Sequence, residues 1–254
     1  MKNKNNFIIT FFLTYFFLTF CSYSDEGFNF DVSESEIKGN GNIFIGKNNG
    51  TATLVDGTKI DANNFEYNKI KNVLISSGKV KIFDPKNNVI IYSDKVTYFK
   101  NDELIYANGN SRAIGVDFQI DAKKFEYNKS KNVIYAKEKV KIDNKKEKYL
   151  IFSDEINYFK NEELIIANGN SKAINDQVEI DANNFEYNKL SNIIYATGNA
   201  KIKNKKENYI IYSDKITYNK RIGKVFTKNN SKALSESTVI NAKIFNYDEK
   251  KNIL

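Results

Sequence analysis

Ile180-Asp181-Ala182-Asn183-Asn184-Phe185-Glu186-Tyr187-Asn188-Lys189, followed closely by Ile194-Tyr195-Ala196-Thr197-Gly198-Asn199-Ala200-Lys201-Ile202, is the stretch whose reading decides the fold. In its second part Ile194, Ala196, Gly198, Ala200 and Ile202 alternate with Tyr195, Thr197, Asn199 and Lys201. Strict period-2 alternation of this length argues a strand with one buried and one wet face. The first part slips by one residue. In its copy at Ile60, Ile60 and Ala62 share one parity while Phe65 and Tyr67 share the other. Such a slip is what a β-bulge produces, so a bulge or bend is expected near Asn63-Asn64. A turn is expected at Asn68-Lys69-Ile70-Lys71-Asn72, whose residues tolerate turn geometry.

The stretch is one copy of an internal repeat. Ile60 to Lys69 returns as Ile120 to Lys129, again as Ile180 to Lys189, and in a worn form from Ile240 to Tyr247. A related series runs between these copies: Ser93-Asp94-Lys95-Val96-Thr97-Tyr98, Ser153-Asp154-Glu155-Ile156-Asn157-Tyr158 and Ser213-Asp214-Lys215-Ile216-Thr217-Tyr218. The building block is thus roughly 30 residues, each reading as two strands. The second-strand pattern recurs through Leu74, Ile105 and Ile165, and an earlier strand is read through Ile37, Gly39, Gly41, Ile43 and Ile45. No segment after the first two dozen residues carries a 3.6 period. Blocks of this kind must stack to share a core. The expectation is all-β: an elongated β-jelly roll or stacked-hairpin sandwich of about fifteen short strands. Its end strands would leave N–H and C=O groups free to accept another chain.

Composition narrows the function. The chain of 254 residues has no histidine, no tryptophan and one cysteine, Cys21. The usual general base and the commonest metal ligand are therefore missing. Asp61, Asp121 and Asp181, or Asp94, Asp154 and Asp214, recur once per repeat, as turn or bulge residues do, whereas an active site is singular. No calcium-loop spacing of acids and no glycine-rich phosphate loop is present, so no cofactor and no enzyme activity are expected. Residues 1–24 read as a signal peptide: Lys2 and Lys4, an apolar run from Phe7 to Phe20, then Ser22 and Ser24 before Asp25. One exported domain over 25–254 follows, and export argues against nucleic acid as the partner of the +8 net charge.

The middle of the second strands holds Ala, Gly and Ser, which leaves volume between facing sheets. Either an apolar groove results, or Phe65, Phe125, Phe185 and the tyrosines Tyr67, Tyr127 and Tyr187 fill the space. Taken together, small-x-x-apolar-x-Tyr followed by apolar-x-Ala-x-Gly-Asn-apolar-x-Ile resembles the OstA-like, or LptA-like, periplasmic domain, most of all the N-terminal part of the LPS-assembly protein LptD. The likeness spans everything after the first segment.

The resemblance implies a twisted β-jelly roll in the periplasm, associated with the outer membrane. Its interior would bind the lipid A acyl chains of lipopolysaccharide, and its partners would be other OstA-like bridge proteins, joined through edge strands, and the outer-membrane assembly complex. The lipid-lining residues would be Leu74, Ile105, Ala107, Ile134, Ala136, Ile165, Ala167, Ile194 and Ala196, with Phe65, Phe125 and Phe185. Glu138 and Asn229 depart from the pattern by replacing the expected glycine. The chain stops inside an expected strand, as a domain truncated at its C-terminal end would. A structural or adhesive surface repeat protein is the alternative, and it predicts a filled core without a groove.

Overall fold

The computed structural model describes residues 27–251; the signal-peptide reading over 1–24 lies outside them. The strands are β1 (Asn29–Lys38), β2 (Ile43–Thr53), β3 (Lys59–Ala62), β4 (Asn64–Asn68), β5 (Val73–Asp84), β6 (Val89–Phe99), β7 (Leu104–Ile114), β8 (Gln119–Asn128) and β9 (Val133–Asn144). They continue as β10 (Tyr149–Phe159), β11 (Leu164–Ile174), β12 (Val178–Asn188), β13 (Ile193–Asn204), β14 (Tyr209–Asn219), β15 (Lys224–Lys228), β16 (Ser231–Leu234), β17 (Val239–Ala242) and β18 (Asn246–Asp248). One 3₁₀ turn, Lys160–Glu162, is the only helical element among the described residues.

Apart from the breaks β3/β4, β15/β16 and β17/β18, each strand pairs antiparallel with the next, so the chain is a single long meander. β3 and β4 together fill one position between β2 and β5, and the pairs β15/β16 and β17/β18 fill the last two. Nearly every position carries a register shift at mid-strand: Ser77/Val80 in β5, Tyr92/Lys95 in β6, Asn108/Ser111 in β7 and Asp121/Lys124 in β8. The shift at Asn63-Asn64 falls where the parity slip required it, in the break between β3 and β4.

These bulges bend every strand in the same place and fold the sheet onto itself. One half of each strand forms a first layer (Phe65 and Tyr67, Leu74, Val96 and Tyr98, Ile105 and Ala107, Phe125 and Tyr127). The other half forms a second layer (Ile60, Val80 and Ile82, Val89 and Ile91, Ala113, Ile120). Both halves bury their apolar residues in one continuous core running the length of the roll. The result is the all-β jelly roll that the repeat calls for.

Two sequence readings are corrected. Ile37 to Ile45 is not one strand: β1 ends at Lys38, and Gly39, Asn40 and Gly41 take positive φ (57°, 53° and 90°) to turn into β2. Glycines spaced two apart across a turn imitate strand alternation, and Ile37 is 67% exposed. The mid-strand glycines are likewise not groove lining. Gly109 and Gly169 sit in the bulges at φ 84° and 78°, where only glycine is unstrained. A Cβ there would lie 2.5 Å from a carboxylate oxygen of Asp94 or Asp154.

Candidate functional site

The candidate site is the interior between the two layers, together with the two long seams that bound it. Every residue expected to line a lipid groove is buried and inward: Leu74, Ile105, Ala107, Ile134, Ala136, Ile165, Ala167, Ile194, Ala196, Phe65, Phe125 and Phe185. The pairing explains how they coexist. Phe125 stands directly between Ala107 and Ala136, and Phe185 between Ala167 and Ala196. Phe65 stands between Gly46 and Ser76. Each bulky ring occupies the room that small residues leave on both neighbouring strands, which is how a core reaches native density. The void against Tyr149, Ile151, Val178, Phe185 and Tyr187 is about 30 Å³, about one water's share of liquid volume. An acyl chain enters such an interior only if the layers part.

The seam at the bends is closed by the chain itself. Ser93 Oγ lies 3.0 Å from Ser111 Oγ and within 3.2 Å of the bulge carbonyls of Asn108 and Gly109. Ser153 with Ser171, and Ser213 with Ser231, repeat the pair at 3.0 and 3.1 Å. Asp94, Asp154 and Asp214 accept from the side chains of Asn110, Asn170 and Asn230 across each bulge. Asp94, Asp154 and Asp214 therefore act as bulge clamps.

The opposite seam is open in the backbone and closed only by side chains. A lysine follows each first-layer strand: Lys69, Lys100, Lys129, Lys160, Lys189 and Lys220. Lys129, 2% exposed in its side chain, reaches across to Asp56 Oδ2 and Thr58 Oγ1 of the second layer, both at 2.7 Å. Lys160 donates to the main-chain oxygen of Asn87 at 2.9 Å. Lys189 lies 3.6 Å from both Asp117 and Glu147 and pairs closely with Glu163. Lys220 donates to the Tyr187 phenol at 2.8 Å, and its ammonium is 3.9 Å from Glu147. Tyr127 adds a bond to Asp84 at 2.7 Å and Tyr187 one to Glu147 at 3.0 Å.

Charge along this seam follows burial. Burial works against the Asp56 carboxylate, yet Lys129 and Thr58 outweigh it and hold its pKa below the usual value. Burial lowers the pKa of Lys160 and Lys220. It also works to lower that of Lys189, where the bond to Glu163 and its neighbouring charges win and the net shift is upward. Burial foremost raises the phenol of Tyr158 to about 12, and those of Tyr98, Tyr127, Tyr149, Tyr187, Tyr209 and Tyr218 further still.

The two ends of the roll also differ. Next to β1, Phe30 stacks on Phe44 at 4.1 Å, and Phe28 meets Tyr67 edge-on at 5.0 Å, which plugs the interior. At the far end the strands shorten, and an open cavity of about 270 Å³ is lined by Tyr209, Ile211, Ala233, Leu234, Ile240 and Tyr247. Among the described residues no cluster of acids or cysteines could hold a metal ion.

A bent, side-chain-latched β-roll built from bulged half-repeats defines the class: the chain carries an OstA/LptA-like domain. Residues 59–163 match the family described as LptA/(LptD N-terminal domain) LPS transport protein. Residues 143–254 match a second, described as Lipopolysaccharide-assembly, LptC-related. No curated protein matches the chain. Among solved structures it is similar to LptH of Pseudomonas aeruginosa, titled the LptA homologous periplasmic component of the conserved lipopolysaccharide transport device. Identity there is 13%, coverage is 56% of this chain and 83% of that one, and the TM-score is 0.26. The fold assignment rests on the strand pairing and the family matches, not on that distant superposition.

The rim lysines escaped the sequence reading. Their spacing of alternately 31 and 29 residues equals that of the repeat and was open to view. Their partners, 73 residues earlier in the chain for Lys129 and Lys160, were not.

Proposed function

We propose that this protein is a passive periplasmic component of lipopolysaccharide transport towards the outer membrane, holding lipid A acyl chains between its two layers. The observation that carries the reading is that two lipopolysaccharide-transport families together match residues 59–254, and the described residues among them form one roll with an apolar interior. Acyl chains would enter by parting the latched seam and lie against Leu74, Ile105, Ala107, Ile134, Ala136, Ile165, Ala167, Ile194 and Ala196. Burial contributes about 0.8 kcal/mol per CH₂, so a multi-acyl lipid needs such a sheltered path. Similar domains would join through the end strands and lead to the outer-membrane assembly complex. The protein performs no chemistry in this scheme.

A photo-crosslinking residue at Ala196 (1% exposed) compared with Tyr195 (44% exposed) tests the reading in the presence of lipopolysaccharide. Adducts at 196 and not at 195 are expected. Equal labelling, or none at either site, would count against it. That result would favour the second reading, a structural surface repeat, whose support is the close filling of the Ala rows by Phe125 and Phe185.

A further inference from the structure

Acyl chains between the layers would leave a lipid's headgroup at the latched seam, and the character of that seam points to what the headgroup carries. Lys129, Lys160, Lys189 and Lys220 form a file along one rim, each held over an aromatic ring. Lys129 lies 5.6 Å from the Tyr98 centroid, Lys160 5.5 Å from Phe118, Lys189 5.9 Å from Tyr158 and Lys220 4.7 Å from Tyr187. The rings hold the ammonium groups at the boundary between core and water and favour their charged form.

The four cations are not equally neutralised. Lys129 and Lys189 have carboxylates as direct partners. Lys160 donates to the Asn87 carbonyl and has no carboxylate within ion-pair distance among the described residues. Lys220 donates to the Tyr187 phenol, and its one carboxylate, Glu147 at 3.9 Å, is shared with Lys189 and with that phenol. Burial lowers the pKa of both, the mark of a desolvated cation short of counter-charge. The charged groups that face Lys160 are Asp84, Asp117 and Glu163; those that face Lys220 are Glu147 and Lys189. A buried ammonium without a carboxylate of its own is costly unless another anion compensates it.

We infer that Lys160 and Lys220 form a binding site for the phosphate groups of an acylated glycolipid, which replace the neutral latch partners as the layers part. The inference rests on the acyl-chain reading above. A phosphate monoester carries more charge than a carboxylate and three acceptor oxygens, and lysine binds phosphate as a point charge. Binding at the rim would exchange Lys160–Asn87 and Lys220–Tyr187 for ammonium–phosphate contacts. Headgroup capture and opening of the seam then become one event, and a neutral amphiphile would open it less readily.

The test compares the full chain with a Lys160→Gln/Lys220→Gln variant. The probes are a bisphosphorylated, multiply acylated glycolipid, the same glycolipid after dephosphorylation, and inorganic phosphate as a competitor. The native chain should bind the phosphorylated lipid about tenfold more tightly than the dephosphorylated one, the size of one hydrogen bond to a charged group. The variant should lose that preference: the ratio of the two affinities is the readout, because loss of the two latch bonds changes the opening cost for both lipids alike, and binding of the dephosphorylated lipid also reports that the variant is folded. Lys160→Arg/Lys220→Arg should retain it. Inorganic phosphate at millimolar level should compete weakly, since the acyl chains supply most of the affinity. Equal affinities in the native chain, or an unchanged preference in the glutamine variant, would overturn the inference and leave the acyl-chain reading standing. So would competition by inorganic phosphate as strong as by the lipid. Failure of the native chain to bind either lipid would remove both.

Discussion

The two long seams of the roll bound the same interior and are built by opposite means. At the bends the backbone runs straight through, left-handed glycines fix the turn, and paired serines stitch neighbouring bulges. Along the mouth no strand crosses. Lysines, tyrosines and carboxylates from turns far apart in the chain meet there instead. The bends are covalent and local, whereas the mouth is electrostatic and non-local. In the proposed function the bends would serve as a hinge that stays closed and the mouth as a latch that releases.

The largest expected difference between them is in alkali. Tyr98, Tyr127, Tyr149, Tyr158, Tyr187, Tyr209 and Tyr218 lie beside the mouth, and burial raises the folded pKa of each above that of an ordinary phenol. A phenol whose folded pKa is raised contributes stability that is fully present below its unfolded value and lost as pH climbs towards the folded one. Stability should therefore fall steadily above pH about 10, with phenolate absorbance and loss of β-sheet circular dichroism rising together. Lys160 and Lys220, with lowered values, act in the opposite direction at somewhat lower pH, but they are two groups against seven. Phenolate absorbance of these seven, measured in a chain whose exposed Tyr92, Tyr106, Tyr195 and Tyr212 are replaced by Phe, that appears near pH about 10 with the fold intact would show the mouth already open to water.

Next in size is a matched pair of substitutions. Gly109→Val at a bend places a β-branched residue at φ 84° and its Cβ against Asp94. It should cost about 2 kcal/mol or more. Lys129→Met at the mouth removes the bonds to Asp56 and Thr58 but leaves an Asp56 side chain that is 39% exposed and can rehydrate. About 1 kcal/mol is expected, after discounting for that exposure. Thermal midpoints should drop by about 4–8 °C and about 2–4 °C respectively. A reversed order would mean that the mouth, not the bend, is the structural hinge.

The sequence and the structure agree where the physics is local. The parity slip at Asn63-Asn64 is the bulge, and the turn at Asn68 to Asn72 closes with Asn68 Oδ1 accepting from the Lys71 amide. Asn128 and Asn188 do the same in the next copies. Ala107, Ala136, Ala167 and Ala196 face inward as their alternation requires. What the pattern could not convey was the partner of each small residue. Phe125 fits between Ala107 and Ala136 only once three strands are in register. Nor could alternation separate a hairpin from a strand at Ile37 to Ile45, because glycine satisfies both. The rim lysines read as ordinary turn residues, since nothing local distinguishes a solvated ammonium from one that crosses to a second layer.

The central claim is that lipid enters by parting the latched seam while the bends hold. Spin labels at Lys86→Cys and Ser130→Cys, on exposed turns that face each other across the mouth, would measure this directly, with Cys21, the single native cysteine, replaced by Ser. The interlabel distance should lengthen and broaden when lipopolysaccharide is added. An unchanged distance in protein that demonstrably carries the lipid would contradict the account.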